Sequence, residues 1–328
     1  MARAYRYSTI TGSLNQISDR FMSGGYKRQY RYEEILEELA KLKVLDGVEL
    51  SYSTQGGVES DLESLLPLLK RYEFKPSFVN SSLFGEQQWM FGSLSSPDAS
   101  VRKRAVSDTK KGLDYTRAVK AAGYNLWTGQ DGFDYPFQTD YRRQWEWFIG
   151  CVRELCDYAP DLKITLEPKP REPRNRSLID TVPTALLACE EVDRPNIGLT
   201  IDVGHTLAAG GNMARDIEMA LRSNRLFNIH TNDNYGTWDD DMIVGSVHFI
   251  EFLEMFYVLS RRGYAGWVSV DIFPYRENQF EAVRESVLYM EHFAALVGKI
   301  GVDRLTALVE KGSVTEMLRV VREQAFAG

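Results

Sequence analysis

Short β-branched or aromatic runs alternate with amphipathic stretches through almost the whole of this 328-residue chain, and that alternation limits the folds open to it. Strands are expected in YRYSTIT near Tyr5, LDGVELSY ending at Tyr52, KPSFVNSS ending near Ser82 and GYNLWTG ending at Gly129. Four more are expected in KITLE ending at Glu167, IGLTIDVGH ending at His205, LFNIHTND ending at Asp233 and GWVSVDIF ending at Phe273. Between them, stretches such as YEEILEELAKLK, WEWFIGCVRELCDYA and VHFIEFLEMFYVLSRRG place apolar residues three and four apart, the period of a helix with one buried face. About eight βα units, repeating at roughly 30 to 45 residues, are what a single (β/α)8 barrel requires. The barrel is expected over residues 1–300. Two further helical pieces in 301–328 form a C-terminal extension whose leucines and valines need a surface to cover, on the barrel flank or on another subunit.

The remaining composition narrows the functions. A formal net charge of -7, with no Lys/Arg block interleaved with aromatics, gives a phosphate backbone no reason to bind. Three cysteines without CxxC spacing argue against a disulfide framework or a thiolate metal site. No run approaches the length of a membrane span, and the N-terminus lacks an apolar signal core, so a cytoplasmic location is expected.

The expected strands are apolar until their last residues. There Glu167, Asp202, His230 and Asp271 close the fifth, sixth, seventh and eighth runs. In a parallel barrel, four neighbouring strands would each carry one oxygen or imidazole donor to the carboxyl-end rim, where such barrels do their chemistry. Taken singly, each has a structural reading. Glu167 could pair with Lys169 or Arg174, Asp202 could cap the turn at Gly204, Asp271 could cap the last barrel helix, and His230 could be a satisfied core histidine. Four such coincidences in matched positions are harder to accept than one metal site, and three carboxylates with an imidazole suit Mn²⁺, Mg²⁺ or Co²⁺. Close by lie His205 in DVGH and the acidic loop NDNYGTWDDDM with Asp233, Asp239, Asp240 and Asp241, enough for a second cation.

The set LEPKPREP, IDVGH, IHTNDNYGTWDDD and VSVD resembles the metal- and lysine-bearing signature of xylose isomerases, and more closely the L-rhamnose isomerase branch of the xylose-isomerase-like barrels. The likeness is specific over the fifth to eighth units and architectural before them. It implies one divalent cation on Glu167, Asp202, His230 and Asp271, and a second on His205, Asp239 and Asp241. It also implies that Lys169 polarises the substrate or a bound water, with Glu167 and Asp271 as further catalytic groups. The implied activity is interconversion of a free aldose and ketose by hydrogen transfer between C1 and C2. The alternatives are a ketose 3-epimerase or a keto-sugar (C-glycoside) lyase subunit on the same metal site, or a non-catalytic sugar-binding subunit. Related 3-epimerases carry Glu in the eighth-strand position where this chain has Asp271, which tilts against that reaction. The acidic loop is one residue longer than the family pattern, which leaves open which of Asp239, Asp240 and Asp241 are ligands. The resemblance further implies a homodimer or homotetramer.

The stretch ITLEPKPREPR fits this scheme. Glu167 anchors the metal, Lys169 two residues on lies on the same side of an extended backbone, and the prolines favour that geometry. Substrate contacts are expected from Trp127, Asp131 and Phe133 after the fourth strand, from Glu49 and Asn80 near the ends of the second and third, and from Arg276 after the eighth. No glycine-rich phosphate loop stands out, so an unphosphorylated sugar is expected.

Overall fold

The computed structural model describes residues 3–325. Its eight principal strands are β1 (Arg6–Thr9), β2 (Gly47–Ser51), β3 (Lys75–Asn80), β4 (Gly123–Leu126), β5 (Lys163–Leu166), β6 (Ile197–Asp202), β7 (Leu226–Thr231) and β8 (Trp267–Val270). They are paired in the order β1-β8-β7-β6-β5-β4-β3-β2, all parallel. The ring is completed between β1 and β2 by a narrow seam. There a single bridge, Ile10 to Glu49, and the backbone bond from Asp46 N to Tyr7 O (2.8 Å) replace a full ladder. The chain is therefore a (β/α)8 barrel, closed by one weak joint.

Eight helices wrap it: α1 (Tyr32–Leu42), α2 (Leu62–Arg71), α3 (Ala99–Val119), α4 (Tyr141–Tyr158), α5 (Val182–Val192), α6 (Met213–Arg222), α7 (Phe249–Arg262) and α8 (Gln279–Ile300). Their starts are set locally. Asp61, Asp98, Asp140, Thr181, Asn212 and Asn278 each accept a hydrogen bond from a first-turn N–H. The last of these caps α8, so Asp271 does not. A short helix, Val203–Ala208, intervenes between β6 and α6. Two more, α9 (Val302–Lys311) and α10 (Val314–Ala325), form the tail, and buried Leu305, Val320 and Val321 pack it onto α7 and α8. The tail covers the barrel's own flank. No helix among the described residues is long and apolar enough to cross a membrane.

Alternate strand residues face opposite ways. Val48 and Leu50 of β2, Ile164 and Leu166 of β5 and Val268 and Val270 of β8 are wholly or almost wholly buried, forming the apolar layer beneath the helices. The barrel interior is polar instead. Ser8 meets Ser269 (2.5 Å), Thr165 meets Thr200 (2.8 Å) and donates to Asn125 Oδ1 (2.9 Å), and all five are fully buried. Barrels of this type more often fill with branched apolar side chains. At the floor, Trp267 takes the space that Gly47 leaves open, since a Cβ there would lie 2.9 Å from the indole and 2.2 Å from Lys75 O.

Candidate metal centre

Glu167 and Asp271 stand one residue beyond β5 and β8, Asp202 ends β6 and His230 is next to last in β7. One donor atom of each lies within 4.8 Å of the others. His230 Nδ1 is 3.2 Å from Glu167 Oε1 and 3.4 Å from Asp271 Oδ2. The donors are held from behind. Asn125 Nδ2 donates to Glu167 Oε2 (2.6 Å), and Asn232 Nδ2 donates to both oxygens of Asp202 (3.1 and 2.9 Å). Asn232 can reach Asp202 because residue 204 is glycine: a Cβ there would sit 1.7 Å from Asn232 Oδ1. Asp202 also accepts from His205 N (2.9 Å), so it caps the short helix while its carboxylate faces the cluster. The cap is therefore made by one carboxylate oxygen of a residue whose donor atoms also stand in the cluster.

A second group forms from Asp202, His205 and Asp239, whose donor atoms again lie within 4.8 Å of one another. His205 Nε2 is 3.0 Å from Asp239 Oδ2, while its Nδ1 faces Pro168 O at 3.1 Å. Asp239 is thus the member of the acidic triplet that joins the group, with Asp202 shared between the two. Asp241 lies on the cavity wall but outside this trio, in the left-handed region (φ 49°). Asp233 turns away, accepting from Val247 N (2.8 Å) and His248 N (3.0 Å) and pairing with the His248 ring at 2.7 Å. Lys169 is almost fully buried, with its Nζ 2.6 Å from Glu172 and 2.8 Å from Asp239. Glu167 pairs with neither Lys169 nor Arg174, which binds Asp134 at 2.9 Å instead.

The carboxyls of the cluster are pushed in opposite directions. Burial pushes Asp202 up to about 6, helped by Asp239, Asp271 and Glu167 against the pull of His205. Burial likewise raises Asp271, and it raises Asp241 strongly, with Asp239 and Asp271 adding to the effect. Burial would raise Glu167 too, but the His230 ring, then His205 and the Asn125 amide, bring it down to about 2. For His205 burial opposes the charged ring, yet Asp202 and Asp239 lift it to about 9. Burial also opposes the Lys169 charge, but Asp239, Glu172 and Asp241 hold it as an ammonium. Carboxylates crowded in this way are relieved by a divalent cation at their focus. Buried Asp239 Oδ1, without a hydrogen-bond partner among the described residues, is a further donor free for one. The oxygen-rich set fits such an ion.

The cluster opens into a cavity of about 590 Å³. Trp127 and Asn80 are on its wall as the sequence suggests; Ser13, Ser51, Phe84 and Tyr275 join them without a sequence signal of their own. Phe84 meets Trp127 edge to face at 4.7 Å. Trp127 Nε1 and Asn80 Nδ2 have no hydrogen-bond partner among the described residues.

Four expected substrate contacts lie elsewhere. Asp131 is fully buried behind the wall, accepting from the amides of Ser93 (2.9 Å) and Ser95 (2.7 Å) and from both their hydroxyls. It organises the loop after β3, because a buried carboxylate needs donors and these are the nearest. Phe133 pairs with Arg176 in a two-residue ladder and packs on Tyr141 at 5.1 Å. Arg276 is exposed and covers the Tyr26 ring at 4.2 Å. Glu49 lies beneath the cluster, against His230, because β2 runs on to Ser51 and so sets residue 49 below the rim. Asp131→Ala is expected to lower unfolding stability by about 3 kcal/mol in urea titrations, since two buried amides lose their acceptor. Metal affinity should be unaffected.

Fold and site together define a class: parallel barrels with a cluster of oxygen and imidazole donors able to hold a metal at the carboxyl ends of their strands. The chain belongs to the xylose isomerase-like TIM barrel family, which it matches over residues 36–293. It is 29% identical over 215 residues to the xylose isomerase of Thermus thermophilus, covering 64% of this chain and 56% of that protein. The match therefore spans little more than half of that relative's length. Among solved structures it is similar to an L-ribulose 3-epimerase (TM-score 0.71, 16% identity, 93% of this chain and 98% of that one). It is similar also to a D-tagatose 3-epimerase-like protein (TM-score 0.69, 19% identity, 90% and 99%). At these identities the likeness is one of fold.

Proposed function

We propose that this chain is a divalent-metal-dependent sugar isomerase that interconverts a free aldose and ketose by moving hydrogen between C1 and C2. The observation that carries the reading is Lys169, a buried ammonium on the cavity wall, held by Asp239 and Glu172 beside the donor cluster. Glu167, Asp202, His230 and Asp271 would hold a divalent ion, Mn²⁺ or else Mg²⁺ or Co²⁺, which would supply Lewis-acid polarisation to the bound sugar. Lys169 donates to the oxygen at C1 and stabilises negative charge developing there. Glu167, fixed by Asn125 and flanked by two imidazoles, stays anionic and anchors the site. Asp271 has its carboxyl raised by burial and is the better placed of the two to take a proton from a sugar hydroxyl and return it. The Trp127 and Phe84 rings offer apolar faces to sugar C–H groups, and Ser13 and Ser51 offer hydroxyls. Among the described residues that line the cavity, Lys169 is the one lysine or arginine and is already doubly paired, which supports an unphosphorylated substrate.

A second reading, ketose 3-epimerisation, draws on the fold relatives; the shorter Asp271 weighs against it. NMR of chelator-stripped protein incubated with free aldoses, ketoses and 3-keto-glycosides separates them. New C1/C2 isomers that need added Mn²⁺ are the expected result. A C3 epimer or a released aglycone would replace the isomerase reading, and bound metal without turnover would favour a sugar-binding subunit. His205→Asn tests the second cation group: turnover is expected to fall by on the order of 10²-fold at saturating Mn²⁺. A rate held within a few-fold would support a single-ion enediol route.

A further inference from the structure

Glu49 has no side-chain exposure and, among the described residues, no ion-pair partner except His230. Its Oε1 is 2.8 Å from His230 Nε2, the ring nitrogen facing away from the cluster. Its Oε2 accepts from Ser269 Oγ (2.6 Å), which in turn meets Ser8 Oγ (2.5 Å). Asn228 Nδ2 stands at 3.5 Å. The residue's backbone is fixed as well, by the bridge to Ile10 and the bond from Thr11 N to Glu49 O (3.3 Å). Four strands, β1, β2, β7 and β8, thus hold one carboxylate behind one imidazole.

A lone carboxylate sealed in a barrel costs several kcal/mol unless something there needs its charge. Packing alone would be served by a leucine or a glutamine. Resting on the metal reading of the cluster, we infer that Glu49 is a positioning residue for the metal centre. It accepts the Nε2 proton of His230, which keeps Nδ1 as the lone-pair nitrogen turned toward Glu167 and Asp271, and it places a second-layer negative charge behind that ligand. Outer partners of this kind orient a ligating ring and raise its basicity. Glu49 therefore acts on the ion through His230 and does not touch the sugar.

The test is Mn²⁺ titration of chelator-stripped protein by water-proton relaxation, for the wild type, Glu49→Gln and Ser269→Ala. The same samples supply apoprotein melting temperatures and sugar KM at saturating Mn²⁺. Glu49→Gln is expected to weaken Mn²⁺ binding by about 10- to 100-fold, with sugar KM at saturating metal unchanged and the apoprotein still folded. Ser269→Ala, which only loosens Glu49, should weaken Mn²⁺ in the same direction by less. Should Glu49→Gln not fold, Ser269→Ala decides alone. Wild-type Mn²⁺ affinity in a folded Glu49→Gln, or in Ser269→Ala where that variant must decide, overturns the inference while leaving the metal centre standing. A raised sugar KM with unchanged metal affinity makes Glu49 a substrate contact instead. A wild type that takes up no Mn²⁺ removes the metal reading itself, and this inference with it.

Discussion

Glu167→Gln is expected to abolish measurable turnover while the protein remains folded. Glu167 is the donor on which the cluster converges: its Oε1 lies 3.2 Å from His230 Nδ1 and 3.6 Å from His205 Nδ1, and its Oε2 is held by Asn125 at 2.6 Å. The amide preserves size but removes the charge, and half of its orientations direct an NH₂ group at the ion site. Several kcal/mol of charge stabilisation depend on that ion, so the loss should be on the order of 10³-fold or more. Mn²⁺ affinity should fall in parallel, and this separates loss of the centre from loss of substrate contacts. Turnover within a few-fold of wild type would sink the metal assignment.

Lys169→Met is expected to give a different signature. The methionine fills the same slot beneath Trp127, whose ring centre is 5.4 Å from the ammonium, but cannot donate a proton or carry charge. Turnover should drop by about 10²- to 10⁴-fold, the range associated with a positioned proton donor. KM should change far less, since the lost interaction strengthens as negative charge builds at the C1 oxygen. The first Mn²⁺ should still bind, because none of Glu167, Asp202, His230 or Asp271 pairs with Lys169. Removing the ammonium also leaves Asp239 Oδ2 with His205 alone, so occupancy of the second group should respond more than that of the first. A variant whose kcat is intact would remove the residue on which the isomerase reading rests.

Legibility in the sequence followed the range of each interaction. The eight strands could be read because each is a short apolar run bounded by turns, and the four strand-end donors because one polar residue closing such a run stands out. The partners that orient them could not. Asn125 and Asn232 reach their targets from neighbouring strands and Ser269 reaches Glu49 past β1, and that reach depends on barrel register, which leaves no local pattern. Glu49 reads as a rim residue because it lies near the end of a run that reaches Tyr52, and its depth below the rim shows only once His230 and Ser269 are brought against it from other strands. Asp131 and Arg276 sit in loops, where the nearest donors or rings after folding decide the role of a charge. Of the acidic triplet, Asp239 joins His205 while Asp241, left-handed in its backbone, lines the cavity outside that group, a division that three consecutive aspartates do not announce.

The narrow seam between β1 and β2 bears on how this chain is made. The first strand finds its full-length partner only in the last one, with Ser8 and Ser269 separated by 261 positions. On a ribosome, β1 leaves the exit tunnel long before β8 exists, and its lasting ladder cannot form until β8 has emerged. Pairing over such a span is slow, since loop-closure entropy must be met before the contact is rewarded. The segment from β2 through β7 has sequential neighbours and can assemble as it emerges. Ring closure, and with it the burial of Glu49 against Ser269, therefore comes late in the folding of this chain.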